Sequence, residues 1–294
     1  MTSSELPILQ HLDIRPALSN KKTWEGYEIR WWNEKKKRHE LHPGRNSPPF
    51  VRALLEDGFK HFRKRQRPYE DGLLLDAVAL DPLAGIGTVL VEAVKLADKY
   101  NLNLQAVGYE IWPQAVALAA QNLQPYPDCA EMRARDFKSV TFPVGAWADL
   151  VVTSPPFPNN HGPGESAEQD RMRETRGMGA GHAWSGLPAD ITSGNLTTYW
   201  DRLAQVWENM LEALKPGCRA YVITRDYVLK NQTVPYTAQV AALLQRVGFR
   251  VLGRVVRPLL ASGYHQRRIK HFKTKGLGVP VFIDHEDALV AEKP

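Results

Sequence analysis

Cysteine is scarce in this chain: Cys129 and Cys218 are the only two among 294 residues. So few thiols exclude a disulfide framework and point to a reducing compartment. His39, His42, His61, His161, His182 and His265 stand without the paired Cys/His spacing that a zinc site requires, so no metal is expected. No apolar run approaches twenty residues and no secretory leader pattern is present, which predicts a soluble cytoplasmic protein without a membrane partner. Internal repeats and low-complexity tracts are also missing. The charge balance is modestly basic, with a formal net charge of +6, which favours a polyanionic partner only weakly.

The informative features are strand tips. Ala77 to Asp81 reads as a buried strand, followed by Pro82-Leu83-Ala84-Gly85-Ile86-Gly87-Thr88 and an amphipathic stretch from Val89 to Lys99. Strand, glycine loop and helix in that order let the backbone approach a ligand closely and place N–H groups at its anionic part. Leu90 stands where the dinucleotide fingerprint needs a third glycine, and the Gly-Lys-Ser/Thr of a phosphate loop is absent, so both of those readings fail. The next strand, Gln105 to Glu110, ends in an acid placed to accept from ribose hydroxyls. A third, Glu131 to Arg135, ends in Asp136-Phe137, a pair suited to the amino group and ring face of an adenine; a helix cap or solvated turn is the alternative for each acid.

A fourth apolar run, Leu150 to Thr153, carries Ser154-Pro155-Pro156-Phe157 at its end. Two prolines remove two backbone donors and fix φ, so their carbonyls can act as acceptors beside the serine hydroxyl, while the ring can stack on a planar base. Alone, such a segment would be read as a strand-ending turn. Together with the glycine loop and the strand-end acids it becomes an amino-capturing loop.

These segments resemble the S-adenosylmethionine-dependent DNA amino-methyltransferases, the N4-cytosine and N6-adenine family whose catalytic motif reads Thr-Ser-Pro-Pro-Phe. The resemblance covers most of the chain. It implies that Asp81, Pro82, Gly85, Gly87 and Thr88 bind the methionine end of the cofactor, Glu110 its ribose, Asp136 and Phe137 its adenine, and that Thr153 to Phe157 form the catalytic loop. His42 and Pro43, with Pro48-Pro49-Phe50-Val51, resemble the His-Pro and Pro-Pro segment that closes over the methionine end. Leu83, where an aromatic is usual, and Pro158-Asn159-Asn160-His161-Gly162 depart from the family pattern. A base C5-methyltransferase is a poor match, because its cysteine nucleophile would have to be Cys129 or Cys218, both outside the catalytic loop.

The resemblance implies a Rossmann-like class I methyltransferase fold: α/β, a mostly parallel doubly wound sheet with an antiparallel last strand. Residues 1–49 are expected to be an N-terminal extension packing on a catalytic domain of 50–294. Within it, 158–199 forms a long insertion that serves as a target-binding or lid loop, with a short helix near Ala167 to Thr175. Leu203, Val206, Trp207, Met210, Leu211 and Leu214 follow a helical stripe that Lys215-Pro216-Gly217 ends, and Tyr236 to Val247 reads as a further helix. The strands Arg219 to Thr224 and Arg250 to Val256 follow, with a last strand pairing Val279 to Ile283 with Ala288 to Ala291.

Three basic clusters lie at 35–38, 63–67 and 267–273. Arg171, Arg173 and Arg176 of the insertion, with Arg267, Arg268, Lys270 and Lys273, are the candidate phosphate contacts, and such contacts make binding fall with salt. The partners the resemblance implies are double-stranded DNA with the target base flipped out and a cognate restriction endonuclease. The implied reaction is direct methyl transfer to N4 of cytosine, with N6 of adenine, an RNA base, or a silent nucleic-acid-binding scaffold as the other readings.

Overall fold

In the computed structural model the described residues are 6–9, 25–33, 38–41, 47–66, 73–142, 145–158, 187, 189–229, 232–259 and 285–294. A short hairpin of Arg30–Asn33 (β1) and Arg38–Leu41 (β2) precedes helix Pro48–Arg65 (α1), which starts on the Pro-Pro pair because proline fits the first helical turn. Then come Leu75–Asp81 (β3), Thr88–Ala97 (α2), Leu102–Glu110 (β4), Pro113–Leu123 (α3), Ala130–Ala134 (β5) and Ala148–Thr153 (β6). The C-terminal part contributes Leu196–Ala213 (α4), Leu214–Thr224 (β7), a hairpin of Tyr227–Leu229 (β8) and Gln232–Val234 (β9), Tyr236–Val247 (α5), Arg250–Pro258 (β10) and His285–Glu292 (β11).

Seven of these strands form one sheet in the order β10-β11-β7-β6-β3-β4-β5. The strands β3 to β7 run parallel, whereas β11 is antiparallel to both neighbours, as expected for the last strand. Alternation along the central strands buries both faces. Ala77 and Ala79 of β3, Leu150 and Val152 of β6, and Tyr221 and Ile223 of β7 pack with α1 and α2, while Leu80, Val151, Ala220 and Val222 face α4 and α5. This is why the strands read as nearly continuous apolar runs.

Two expectations are corrected. The strand Ala288 to Ala291 pairs with Val251 to Val255 on one edge and with Ala220 to Ile223 on the other. Both edges of that strand are thus paired among the described residues, whereas the expected pairing used Val279 to Ile283, which lie outside them. The segment Lys215-Pro216-Gly217 does not end the helix by a loop: α4 stops at Ala213 and these residues already belong to the span of β7. They form an irregularity there, since Leu214 stands opposite Ala148 and Arg219 opposite Leu150. The predicted stripe holds on α4, where Leu203, Val206, Trp207 and Met210 are fully buried, while Leu211 is only partly so. Each such side chain contributes about 1.5–3 kcal/mol by burial.

Pieces of the N-terminal region lie against this core. Residues 7–9 exchange backbone hydrogen bonds with Arg254, and Tyr27 donates its hydroxyl to the buried Glu92 of α2 at 2.6 Å. Glu92 also meets Arg52 of α1 at 2.6 Å, so one buried carboxylate joins three segments. Such a group is tolerated because every oxygen has a partner.

Candidate active site

The parallel strands end at one edge of the sheet, and the loops that follow β3, β4, β6 and β7 converge there. At the tip of β3, Asp81 is 1% exposed and accepts the Leu83 N–H at 3.1 Å. Burial pushes its carboxyl up to about 7; the Thr153 hydroxyl from the tip of β6 and the Leu83 N–H oppose that shift. The Thr153 oxygen makes no well-formed hydrogen bond, so it acts on Asp81 as a nearby dipole. Pro82 is buried behind this turn, and Thr88 begins α2.

Gly85 and Gly87 both adopt left-handed conformations, with φ of 53° and 79°, which explains why the loop needs glycine at these two positions. Gly85 donates its N–H to Glu110 Oε2 at 2.9 Å, while Ile111 and Trp112 donate theirs to Oε1 at 2.8 Å each. Glu110 therefore brackets the glycine loop to the β4–α3 turn. Burial raises its pKa, and the three N–H donors hold it down. By lone-pair count Oε1 is filled and Oε2 keeps one acceptor position, enough for one external hydroxyl.

The third acid is committed differently. Asp136 caps a short turn through the Lys138 N–H at 3.0 Å and pairs with the Lys138 ammonium at 2.9 Å. Phe137 is 2% exposed, edge-on to Tyr109 at 4.9 Å. The cap reading of Asp136 thus describes its contacts, and the Phe137 ring presents no face outward because it fills the core. Lys138 also donates to the Ala189 carbonyl at 2.7 Å, and Arg202 to those of Asp190 and Ser193 at 2.6 Å. These bonds anchor the end of the 158–199 insertion beside β5.

On the other side of the edge, Ser154 is half-buried and forms no hydrogen bond within the described residues; Pro155 is buried. The Pro156 carbonyl accepts the Tyr199 hydroxyl at 2.8 Å, and Tyr199 and Tyr236 share a hydrogen bond of 2.5 Å. Burial holds both phenols well above their ordinary pKa, so they remain neutral donors. Phe157 packs against Tyr236 at 5.3 Å and edge-on to Tyr227 at 5.9 Å, with the Arg225 guanidinium 5.8 Å from its ring centre. Tyr199, Arg225, Tyr227 and Tyr236 were missed by the sequence reading. For Arg225 and Tyr227 a signal existed, since they follow the end of β7 as Ser154 follows the end of β6.

The remaining candidates are His42, Pro43, Arg171, Arg173, Arg176, Arg267, Arg268, Lys270 and Lys273, which lie outside the described residues. Among the described residues, Pro158 after β6 and the Pro258–His285 pair at the end of β10 and start of β11 stand at the carboxyl edge. The 63–67 cluster is used internally in part. Arg63 donates to the Tyr100 carbonyl at 2.8 Å and Arg65 to that of Pro216 at 2.6 Å. A cavity of about 240 Å³, lined by Asp76, Asn103, Asp149 and Lys215 among others, lies at the opposite, amino-terminal edge and holds none of the candidate residues. Among the described residues no group of three or more metal-binding side chains occurs, and no helix is long and apolar enough to cross a membrane.

No family model matches the chain, and no curated protein matches it in sequence. Solved structures do. TrmN from Thermus thermophilus is 16% identical over 85% of this chain and 50% of its own, with a TM-score of 0.43. Phosphoethanolamine N-methyltransferase 2 from Haemonchus contortus, in complex with S-adenosylhomocysteine, is 13% identical over 81% and 52%, with a TM-score of 0.41. The [4+2]-cyclase SpnF is 14% identical over 91% and 88%, with a TM-score of 0.46. The chain spans about half the length of the first two. Similarity at this level concerns the fold alone.

Proposed function

We propose that the protein is an S-adenosylmethionine-dependent methyltransferase that modifies the exocyclic amino group of a nucleobase, N4 of cytosine in DNA first. The observation that carries this reading is the adjacency of two half-sites. β3 and β6 pair in parallel with Leu80 opposite Val151, so Asp81 and Thr153, which leads into Ser154-Pro155-Pro156-Phe157, stand at neighbouring strand tips.

The residues on the donor side fit the cofactor. Gly85 and Gly87 place no side chain at two positions of the loop, the N-terminus of α2 offers N–H groups, and Glu110 has one acceptor position for a ribose hydroxyl. Asp81, buried and poised near neutrality, would take its charged form beside an ammonium. When bound, the cofactor supplies a methyl group on a sulfonium leaving group.

The chain's own work is alignment. An aryl amine is a weak nucleophile because its lone pair is delocalised into the ring. Ser154 Oγ and the Pro155 carbonyl would accept from the two amino hydrogens, drawing the nitrogen toward tetrahedral geometry. Phe157 would stack on the extruded base and replace part of the stacking lost from the duplex. Tyr199 supports the loop from behind through the Pro156 carbonyl. Fixing the two reactants in this way is worth roughly 7–11 kcal/mol at well-aligned sites.

The test is mass spectrometry of nucleosides from plasmid DNA and total RNA incubated with the protein and isotope-labelled S-adenosylmethionine. Labelled N4-methylcytosine in DNA, absent with Ser154→Ala, is the expected result. Label in N6-methyladenine, or in RNA alone, would replace the substrate; no cofactor binding by calorimetry and no label would overturn the reading.

A further inference from the structure

Several arginines of this fold, buried, half-buried or exposed, have an acceptor. Arg254 pairs with Asp287 at 2.9 Å, Arg257 pairs with Glu286, Arg133 with Glu131 at 2.7 Å, and Arg63, Arg65 and Arg202 donate to carbonyls. Arg225 differs. It is half-buried at the end of β7, and its contact is with the face of the Phe157 ring at 5.8 Å; among the described residues no carboxylate or carbonyl accepts from it. A guanidinium carries five donors, and partial burial without an acceptor is unfavourable. Its donors are left without an acceptor among the described residues, and the position beside Phe157 is where a ligand acceptor would meet them.

We propose that Arg225 reads the acceptor edge of the target base and thereby selects cytosine over adenine. The inference rests on the nucleobase reading above. The strand β7 is the parallel neighbour of β6, with Thr153 opposite Val222, so Arg225 projects from the adjacent tip to the one that carries the amino-capturing loop. On cytosine the N4 amino group is followed along the same edge by N3 and O2, two acceptors in a row. On adenine the N6 amino group is followed by N1 and then by a carbon-bound hydrogen. With Ser154 and Pro155 holding the amino group, parallel guanidinium donors find two acceptors on cytosine and one on adenine. Tyr227 and Tyr236, packed on Phe157, keep the ring that carries the base in place.

A positive group on N3 and O2 withdraws electron density from the amine, so Arg225 assists capture and selection rather than the transfer itself. Its signature is therefore a split between KM and kcat. The experiment compares the parent with Arg225→Gln and Arg225→Lys in methylation of plasmid DNA, with calorimetry for S-adenosylmethionine. The expected result for Arg225→Gln is a KM for DNA raised about tenfold or more, a ratio of N4-methylcytosine to N6-methyladenine lowered by a similar factor, and unchanged kcat and cofactor affinity. Arg225→Lys keeps the charge but loses the paired donors, and should lose most of the base preference. Variants that keep the parent's KM and product ratio would overturn the inference while the methyltransferase reading stands. A parent that binds no cofactor and labels no nucleic acid would take both down.

Discussion

The two halves of the carboxyl edge are built from different materials. The half formed by β3 and β4 is acidic and held by backbone: Asp81 and Glu110 accept four N–H bonds between them, and the glycine loop hangs on one of these. The half formed by β6 and β7 is aromatic, with Phe157, Tyr199, Tyr227 and Tyr236 around a proline carbonyl and one guanidinium. A cationic, hydroxyl-bearing ligand suits the first and a flat ring with an amino edge suits the second. On the proposed reading the difference makes the site a meeting place for two ligands, so each half should break without the other.

The largest effect is expected from Ser154→Ala. Removing a positioned acceptor should lower kcat roughly 100- to 1000-fold, with the S-adenosylmethionine affinity measured by calorimetry unchanged. A parallel loss of cofactor binding would show that the halves are not separable.

Asp81→Asn should break the other half, weakening cofactor binding by about tenfold or more with the aromatic side intact. The pH dependence sharpens this. The folded-state pKa of Asp81 is raised to about 7, so the unfolded chain binds fewer protons, and stability of the cofactor-free protein falls as pH rises toward 7 and then levels off. If Asp81 meets the cofactor's ammonium as proposed, cofactor binding should strengthen across the same rise. Asn at 81 should flatten both trends in thermal denaturation and calorimetry.

Phe157→Ala should weaken capture of a nucleic-acid substrate by about 1–3 kcal/mol, read as binding of an oligonucleotide, without changing the cofactor affinity. Equal oligonucleotide affinity in mutant and parent would reject the stacking role. The smallest effect belongs to Tyr199→Phe, which removes the bonds to the Pro156 carbonyl and Tyr236 and should cost about 1 kcal/mol of stability by denaturant titration.

The donor half was the more legible in the sequence, because each of its parts is local. A strand that ends in an acid and runs into Gly-Ile-Gly declares its turn through backbone conformation, and Gly85 and Gly87 adopt the positive φ that the pattern implies. The Ser-Pro-Pro-Phe segment was legible for the same reason. Its supporting aromatics were not, since Tyr199 and Tyr236 lie 43 and 79 positions beyond Pro156 and Phe157 and meet them only after α4 and α5 have docked on the sheet. Phe137 shows the reverse failure. Its place after a strand end suggested a ligand face, yet the ring is drawn into the core by Tyr109 and Phe142.

Thus the sequence by itself determined the order of strands and helices, the glycine loop and the residues at the strand tips, because period-two burial and turn conformation are set by neighbours along the chain. Only the tertiary structure decided which charged and aromatic groups remained for a ligand. Arg63, Arg65 and Asp136 found partners within the protein, while Arg225 came to rest on Phe157. The physical reason is that burial and pairing depend on what the packing brings near, and a charged side chain carries no mark in the sequence of the partner it will meet.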